Sequence, residues 1–223
     1  MLTVHHLNNS RSQRVLWLLE ELGVPYEIVR YERDPKTMLA PGALKRIHPL
    51  GKSPVITDDG QTIAETGAIV EYVLGRYGDG RLMPLRGMPD HLRYTYWLHY
   101  AEGSAMPPLL LKLIFSKLAK QRAPFFVRPI LKQVSSRVQQ MLVDPQLATH
   151  IGFWESELGK HTWFAGETFT AADIQMSFPV EAATIRAPFG GKYPKLQSFL
   201  ERIHSRPAYK RALERGGPYD LLR

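Results

Sequence analysis

The sequence predicts an α/β unit followed by an all-helical one, and three observations carry that prediction. Residues 1–80 alternate strand-like and helix-like patterns in the order βαβ, connection, ββα. The stretch from Gly78 to Pro89 then gathers Gly78, Gly80, Pro84, Gly87 and Pro89, the composition of a linker. Beyond it strand signals vanish and apolar residues recur only at helical spacing. The expected domains are therefore 1–80 and 88–223.

Leu2 to Leu7 alternates weakly and reads as a short first strand. Asn8-Asn9-Ser10-Arg11-Ser12 is polar and turn-forming, with several residues able to cap a helix. Val15, Leu18, Leu19 and Leu22 follow at i, i+3, i+4 and i+7, so a helix runs to Gly23 with Pro25 beyond. Tyr26 to Tyr31 is aromatic and β-branched and reads as a second strand, reached by a crossover long enough for parallel pairing. Residues 32–53 are irregular apart from a short helix near Ala43 to Ile47. Pro54 to Thr57, a turn at Asp58-Asp59-Gly60, and Thr62 to Ala64 read as a hairpin. Glu65-Thr66-Gly67 opens a helix with Ile69, Val70, Val73 and Tyr77 on one face, stopping at Gly78. This order fits a thioredoxin-like domain. In the second unit, long helices are expected over Asp90 to Gln121 and Phe125 to Leu142, with Pro107-Pro108 and Pro124 as kinks or breaks. A further helix is expected from Asp144-Pro145, Asp capping and Pro taking the first helical position.

Composition excludes several classes. Cysteine is absent, which removes disulfide scaffolds, cysteine nucleophiles and thiolate metal sites. His5-His6 is the one close histidine pair, and adjacent strand residues face opposite ways, so no metal site is expected. No apolar run approaches the roughly 20 residues of a membrane span, and the N-terminus reads as a strand rather than a signal peptide. A cytoplasmic protein is expected, with peripheral membrane contact left open. The net charge of +8 favours anionic partners. It is unevenly placed: from Gly103 to Val143 no acidic residue occurs, while Lys112, Lys117, Lys120, Arg122, Arg128, Lys132 and Arg137 do. No nucleic-acid-binding module accompanies that charge, so no nucleic-acid partner is expected.

Two short motifs carry chemistry. In His48-Pro49-Leu50-Gly51-Lys52-Ser53-Pro54-Val55, a proline at the head of a strand belongs at an edge or a special turn. A cis bond between Ser53 and Pro54 would present the Ser53 backbone as a pairing edge for a peptide, with Lys52 in reach of its carboxylate. Glu65-Thr66 heads a helix, where free N–H groups and a partial positive charge favour an anion. The Thr66 hydroxyl suits a carboxylate and Glu65 an ammonium group. Read alone, each motif is more often an ordinary turn or N-cap.

Together these residues resemble the glutathione site of the cytosolic glutathione transferases. Phe169-Thr170-Ala171-Ala172-Asp173-Ile174 is similar to that family's buried capping box, with Phe169 expected to staple against Ile174. Tyr193-Pro194-Lys195-Leu196 and Arg206-Pro207-Ala208-Tyr209 resemble its C-terminal helices, so the likeness spans about residues 2–212. Tyr96 to Ser104 most resembles a fungal and bacterial branch. The resemblance implies conjugation of the glutathione thiolate to a hydrophobic electrophile by a homodimer. Glutathione is then a co-substrate bound by Lys52, Ser53, Pro54, Glu65 and Thr66, and no cofactor is needed. Tyr94, Tyr100, Met106 and Phe115 are the expected liners of the second-substrate pocket, and each reads more readily still as core.

The thiol needs a donor that favours its charged form, because a pKa near ~8.5 leaves it mostly protonated at neutral pH. The family places this donor just after the first strand as Tyr, Ser or Cys. No Cys exists and no Tyr occurs before Tyr26, which leaves Ser10 and Ser12, with Arg11, Asn8 and Asn9 as substitutes. Two other readings stay open: a cysteine-free, glutathione-dependent disulfide reductase or peroxidase, and a non-catalytic scaffold of the same fold.

Overall fold

The structure, a computed structural model, describes residues 1–187 and 191–219. The expected end of the second domain therefore lies outside the described residues. Strands β1 (Thr3–Leu7) and β2 (Glu27–Tyr31) pair in parallel with Val4 opposite Ile28, joined by α1 (Ser12–Leu22). The short α2 (Ala43–Ile47) leads to the hairpin β3 (Val55–Asp58) and β4 (Gln61–Ala64). Antiparallel pairing of His5 with Val55 seats β3 beside β1, giving the order β2-β1-β3-β4. Helix α3 (Thr66–Tyr77) packs with α1 against this mixed sheet, the thioredoxin-like arrangement.

Helix α1 is more deeply buried than its apolar stripe implies. Val15, Leu16, Trp17, Leu18 and Leu19 are all buried, because the helical domain covers the face that the sheet leaves free. Helix α10 (Pro207–Gly216) lies along α1, and helix α8 (Ala171–Arg186) packs against it as well. Ion pairs fix the first contact: Arg206 grips Glu21 with bonds of 2.6 and 2.8 Å, and Arg211 and Arg215 reach Glu20 at 2.8 and 2.9 Å.

Of the expected proline breaks, Pro124 lies in the gap between Lys120 and Arg128 as expected, whereas Pro107-Pro108 does not break its helix. Helix α4 (Pro89–Tyr100) continues through a π-helical segment, Ala101–Ala105, into α5 (Met106–Lys120). The wider π turn accommodates Pro107 and Pro108, whose rings and missing N–H groups an unbroken α-helix tolerates poorly. A second π segment, Gln139–Val143, joins α6 (Arg128–Val138) to α7 (Asp144–Lys160), which begins at Asp144 as expected, with Pro145 in its first turn and Val143 rather than Asp144 at the N-cap. The Asp144 carboxylate pairs with Lys112 at 2.6 Å instead of capping. The Thr170–Asp173 capping box forms at the head of α8. Asp173 is buried and accepts from the Thr170 N–H at 2.8 Å and the Phe164 N–H at 2.9 Å. Phe169 packs edge-on to Trp163 and beneath the Arg206 guanidinium. Helix α9 (Pro194–Ser205) completes the domain.

Candidate functional site

Between β1 and α1 the chain turns through Asn9, whose φ of 49° lies in the left-handed region that asparagine tolerates. Ser10 and Ser12 follow, and the structure separates their roles. Ser12 is fully buried. Its Oγ lies 2.8 Å from His6 Nδ1 and 2.7 Å from Ser10 Oγ, while its N–H donates to Ser10 Oγ at 3.2 Å. His6 also donates to the Gly216 carbonyl, and with Nδ1 facing Ser12 the donor is Nε2. Burial pushes the His6 imidazole down to about 4, so it is neutral and Nδ1 carries a lone pair. Ser12 therefore donates to His6, and Ser10 in turn donates to Ser12. Ser10 faces the neighbouring cleft with its lone pairs, and its proton must turn outward before it can serve a thiolate. Ser10 lines the interdomain cleft and Ser12 does not. His5, on the other face of β1, lies 3.0 Å from the Tyr31 hydroxyl and far in direction from His6, as strand alternation requires.

The two sequence motifs come together in one place. Lys52, Ser53, Pro54, Glu65 and Thr66 line one cleft with Arg11, and His48, Leu50 and Ala64 complete its wall. The Ser53–Pro54 bond is cis. The β1–β3 ladder begins only at Val55, and the Ser53 hydroxyl donates to the His5 carbonyl at 3.0 Å, which pins the segment beside β1. Glu65 has φ 70° and ψ 125°, an unusual backbone for a non-glycine residue, costing about 1–3 kcal/mol. Such strain gathers at ligand clamps, and here it sets the exposed Glu65 side chain beside the N-terminus of α3.

Behind the cleft lies a charge cluster that crosses the domain interface. Glu102, in the first π segment, pairs with both Arg11 and Arg14. Arg14 is 2% exposed and also donates to the Gln175 carbonyl at 2.7 Å and to Thr66 Oγ1 at 3.5 Å. Because Thr66 accepts from Arg14, its own proton is free to point at a ligand. Burial would raise the Glu102 carboxyl, but Arg14 and Arg11 outweigh it and hold the group below the usual glutamate value. Burial lowers the Arg14 guanidinium, and Glu102 opposes that effect.

A second cleft of about 330 Å³ opens between the domains and shares Arg11 and Ser53 with the first. Asn9, Ser10, Arg33 and Met38 line one side; Met106, Leu110, Leu113, Lys117, Phe178 and Arg186 line the other. Of the four expected liners only Met106 is here. Tyr94 and Tyr100 are buried in the helical core, the latter hydroxyl accepting from Trp154 Nε1 at 3.0 Å and bonded to His150. Phe115 packs half-buried against that core. Sequence reading missed Arg33, in the loop after β2, and Phe178 and Arg186, both on α8. The acid-free stretch was the one signal pointing to Lys117.

Comparisons with known proteins point to one family. Models of the glutathione S-transferase N-terminal and C-terminal domains match residues 1–75 and 118–207. The chain is 35% identical over 215 residues to glutathione S-transferase 3 of Schizosaccharomyces pombe, covering 96% of this chain and 88% of that one. It is 26% identical over 220 residues to the disulfide-bond oxidoreductase YfcG of Escherichia coli, covering 96% and 94%. A solved glutathione S-transferase from Actinobacillus pleuropneumoniae superposes with a TM-score of 0.80 at 33% identity, covering 100% of this chain and 96% of that one.

Proposed function

The chain belongs to the glutathione S-transferase family, and on that premise we propose that the enzyme conjugates glutathione to an electrophile held in the interdomain cleft. The observation that carries this reading is the shared wall of the two clefts, at Arg11 and Ser53. Glutathione bound in the first would present its sulfur to the mouth of the second. Its γ-glutamyl carboxylate meets Thr66 and the N-terminus of α3, its ammonium meets Glu65, its cysteinyl backbone pairs with Ser53, and its far carboxylate meets Lys52. Glutathione is a co-substrate here, and no further cofactor enters. Ser10 is the proposed thiolate donor, turning its proton from Ser12 to the sulfur. We also propose a homodimer, because Leu92 and Tyr96 of α4 and Phe153 of α7 form an exposed apolar patch away from both clefts.

Titration calorimetry with glutathione tests the site. Lys52→Ala and Thr66→Ala should each weaken binding, by about ten- to a hundred-fold for a lost charge-assisted bond. Unchanged affinity in both variants would refute the assignment. A second reading, reduction of a disulfide or peroxide by two glutathiones without protein cysteine, draws on the basic wall of the second cleft and on the likeness to a disulfide-bond oxidoreductase. Turnover of mixed disulfides with no conjugation of any aryl halide would favour it.

A further inference from the structure

The second cleft has a charge balance that a pocket for purely apolar electrophiles does not need. Arg11, Arg33, Lys117 and Arg186 line it, and no Asp or Glu does among the described residues. Their positions are not equivalent. Arg11 shares the Glu102 carboxylate with Arg14. Arg33 spends its donors on the carbonyls of Asn8, Asn9 and Met38, at 3.3, 3.5 and 3.1 Å. Arg186 makes one long bond, to the Leu109 carbonyl at 3.4 Å, and neither it nor Lys117 has a carboxylate partner among the described residues. Burial holds the Arg186 guanidinium below the usual arginine value, and burial and Arg11 do the same to Arg33. Cations in that condition gain from an incoming anion. Met106, Leu110, Leu113 and Phe178 supply the apolar wall beside them.

We propose that this cleft selects an electrophile with an apolar body and a carboxylate, the carboxylate received by Arg186 of α8 and Lys117 of α5. The proposal rests on the conjugation reading. A one-sign cleft with apolar walls concentrates counter-ions, and a guanidinium matches a carboxylate with two parallel bonds. The reaction itself is unchanged by this choice. The thiolate sulfur forms a bond to the aryl carbon, the carbon–chlorine bond breaks, chloride carries away its electron pair, and the thiol proton passes to buffer.

The test compares a chloronitrobenzoate with the matching chloronitrobenzamide, each rate divided by its uncatalysed rate with glutathione. Wild type should favour the benzoate in kcat/KM, and 0.5 M added salt, about the range where screening reaches a few ångströms, should shrink that preference. In Arg186→Leu the benzoate-to-benzamide ratio should fall about ten- to a hundred-fold, in Lys117→Ala by less, and Arg186→Lys should restore part of it. An equal or reversed preference in wild type, or an unchanged ratio in all three variants, overturns the proposal. Should Arg186→Leu fail to fold, the exposed Lys117→Ala still decides through the same ratio. Calorimetric binding of the benzoate separates the two levels. A wild type that binds it through Arg186 and Lys117 but conjugates neither compound sinks the conjugation reading and keeps the anion site. A wild type that conjugates both equally sinks the anion site and keeps conjugation.

Discussion

At the scale of single residues, the direction of each proton near the head of α1 follows from one buried imidazole. Neutral His6 accepts from Ser12, Ser12 accepts from Ser10, and the expected donor therefore begins with its proton pointing inward. Turning it toward a thiolate gains a charge-assisted bond of about 1.5–3 kcal/mol and gives up a neutral one of about 0.5–1.5 kcal/mol. The net of roughly 1–1.5 kcal/mol makes Ser10 worth about five- to tenfold in rate, less than an unengaged hydroxyl would give. His6 also predicts a pH dependence of stability. Its folded value of about 4 lies below the unfolded value, so the unfolded chain takes up the proton first as pH falls. The contribution of His6 is complete above about pH 6.5 and fades toward pH 4, a loss of about 3 kcal/mol. Urea unfolding at a series of pH values should show a shallower acid decline in His6→Asn, which keeps an acceptor near the Nδ1 position. Equal slopes in wild type and variant would count against the neutral, buried imidazole.

At the scale of elements, the site is held by contacts between parts of the chain that are far apart in sequence. Glu102 from the helical domain fixes Arg14 of α1, and Arg14 touches Thr66 at the head of α3. Removing that carboxylate leaves a guanidinium buried without a counter-charge. Glu102→Ala should cost about 3 kcal/mol, at the low end for a broken buried pair because Glu102 is partly exposed. Denaturant unfolding measures the loss, and a change under about 0.5 kcal/mol, the range of surface substitutions, would mean that the cluster carries no load. The depressed carboxyl gives this pair its own pH window: its contribution is present above the unfolded glutamate value near ~4.3 and is lost as pH falls through the folded one. These elements also mark what the sequence could and could not reveal. Lys52 to Pro54 and Glu65-Thr66 were legible because turn chemistry and a helix start are local, and the hairpin brings the two segments together. The second cleft was not. Met38 lies in the loop after β2, Lys117 on α5, and Phe178 and Arg186 on α8, and no local pattern says which helix faces will meet. Helical periodicity marks an apolar face without naming its partner, which is why Tyr94 and Tyr100 belong to the core while Leu110 and Leu113 border the cleft. The π segments were hidden for a related reason, since they answer to prolines one turn away.

At the scale of the whole molecule, the α/β unit carries one cleft and the interface between the units carries the other, so neither domain alone holds the proposed reaction. The exposed patch at Leu92, 76% exposed, and Tyr96, 47% exposed, bears on assembly. Light scattering should give twice the chain mass for wild type, and Leu92→Glu with Tyr96→Asp should give a monomer. A wild-type monomer at micromolar concentration, or a double variant that stays dimeric, would move the interface elsewhere or remove it.

The central claim is that this protein binds glutathione and favours its thiolate at the junction of the two clefts. Ultraviolet absorbance of the bound thiolate, followed across pH in wild type and Ser10→Ala, measures that directly. The account predicts a wild-type midpoint well below the ~8.5 of a free thiol, and a rise of about one unit in Ser10→Ala with little change in glutathione affinity. A bound thiol that titrates as it does in free solution would contradict the account.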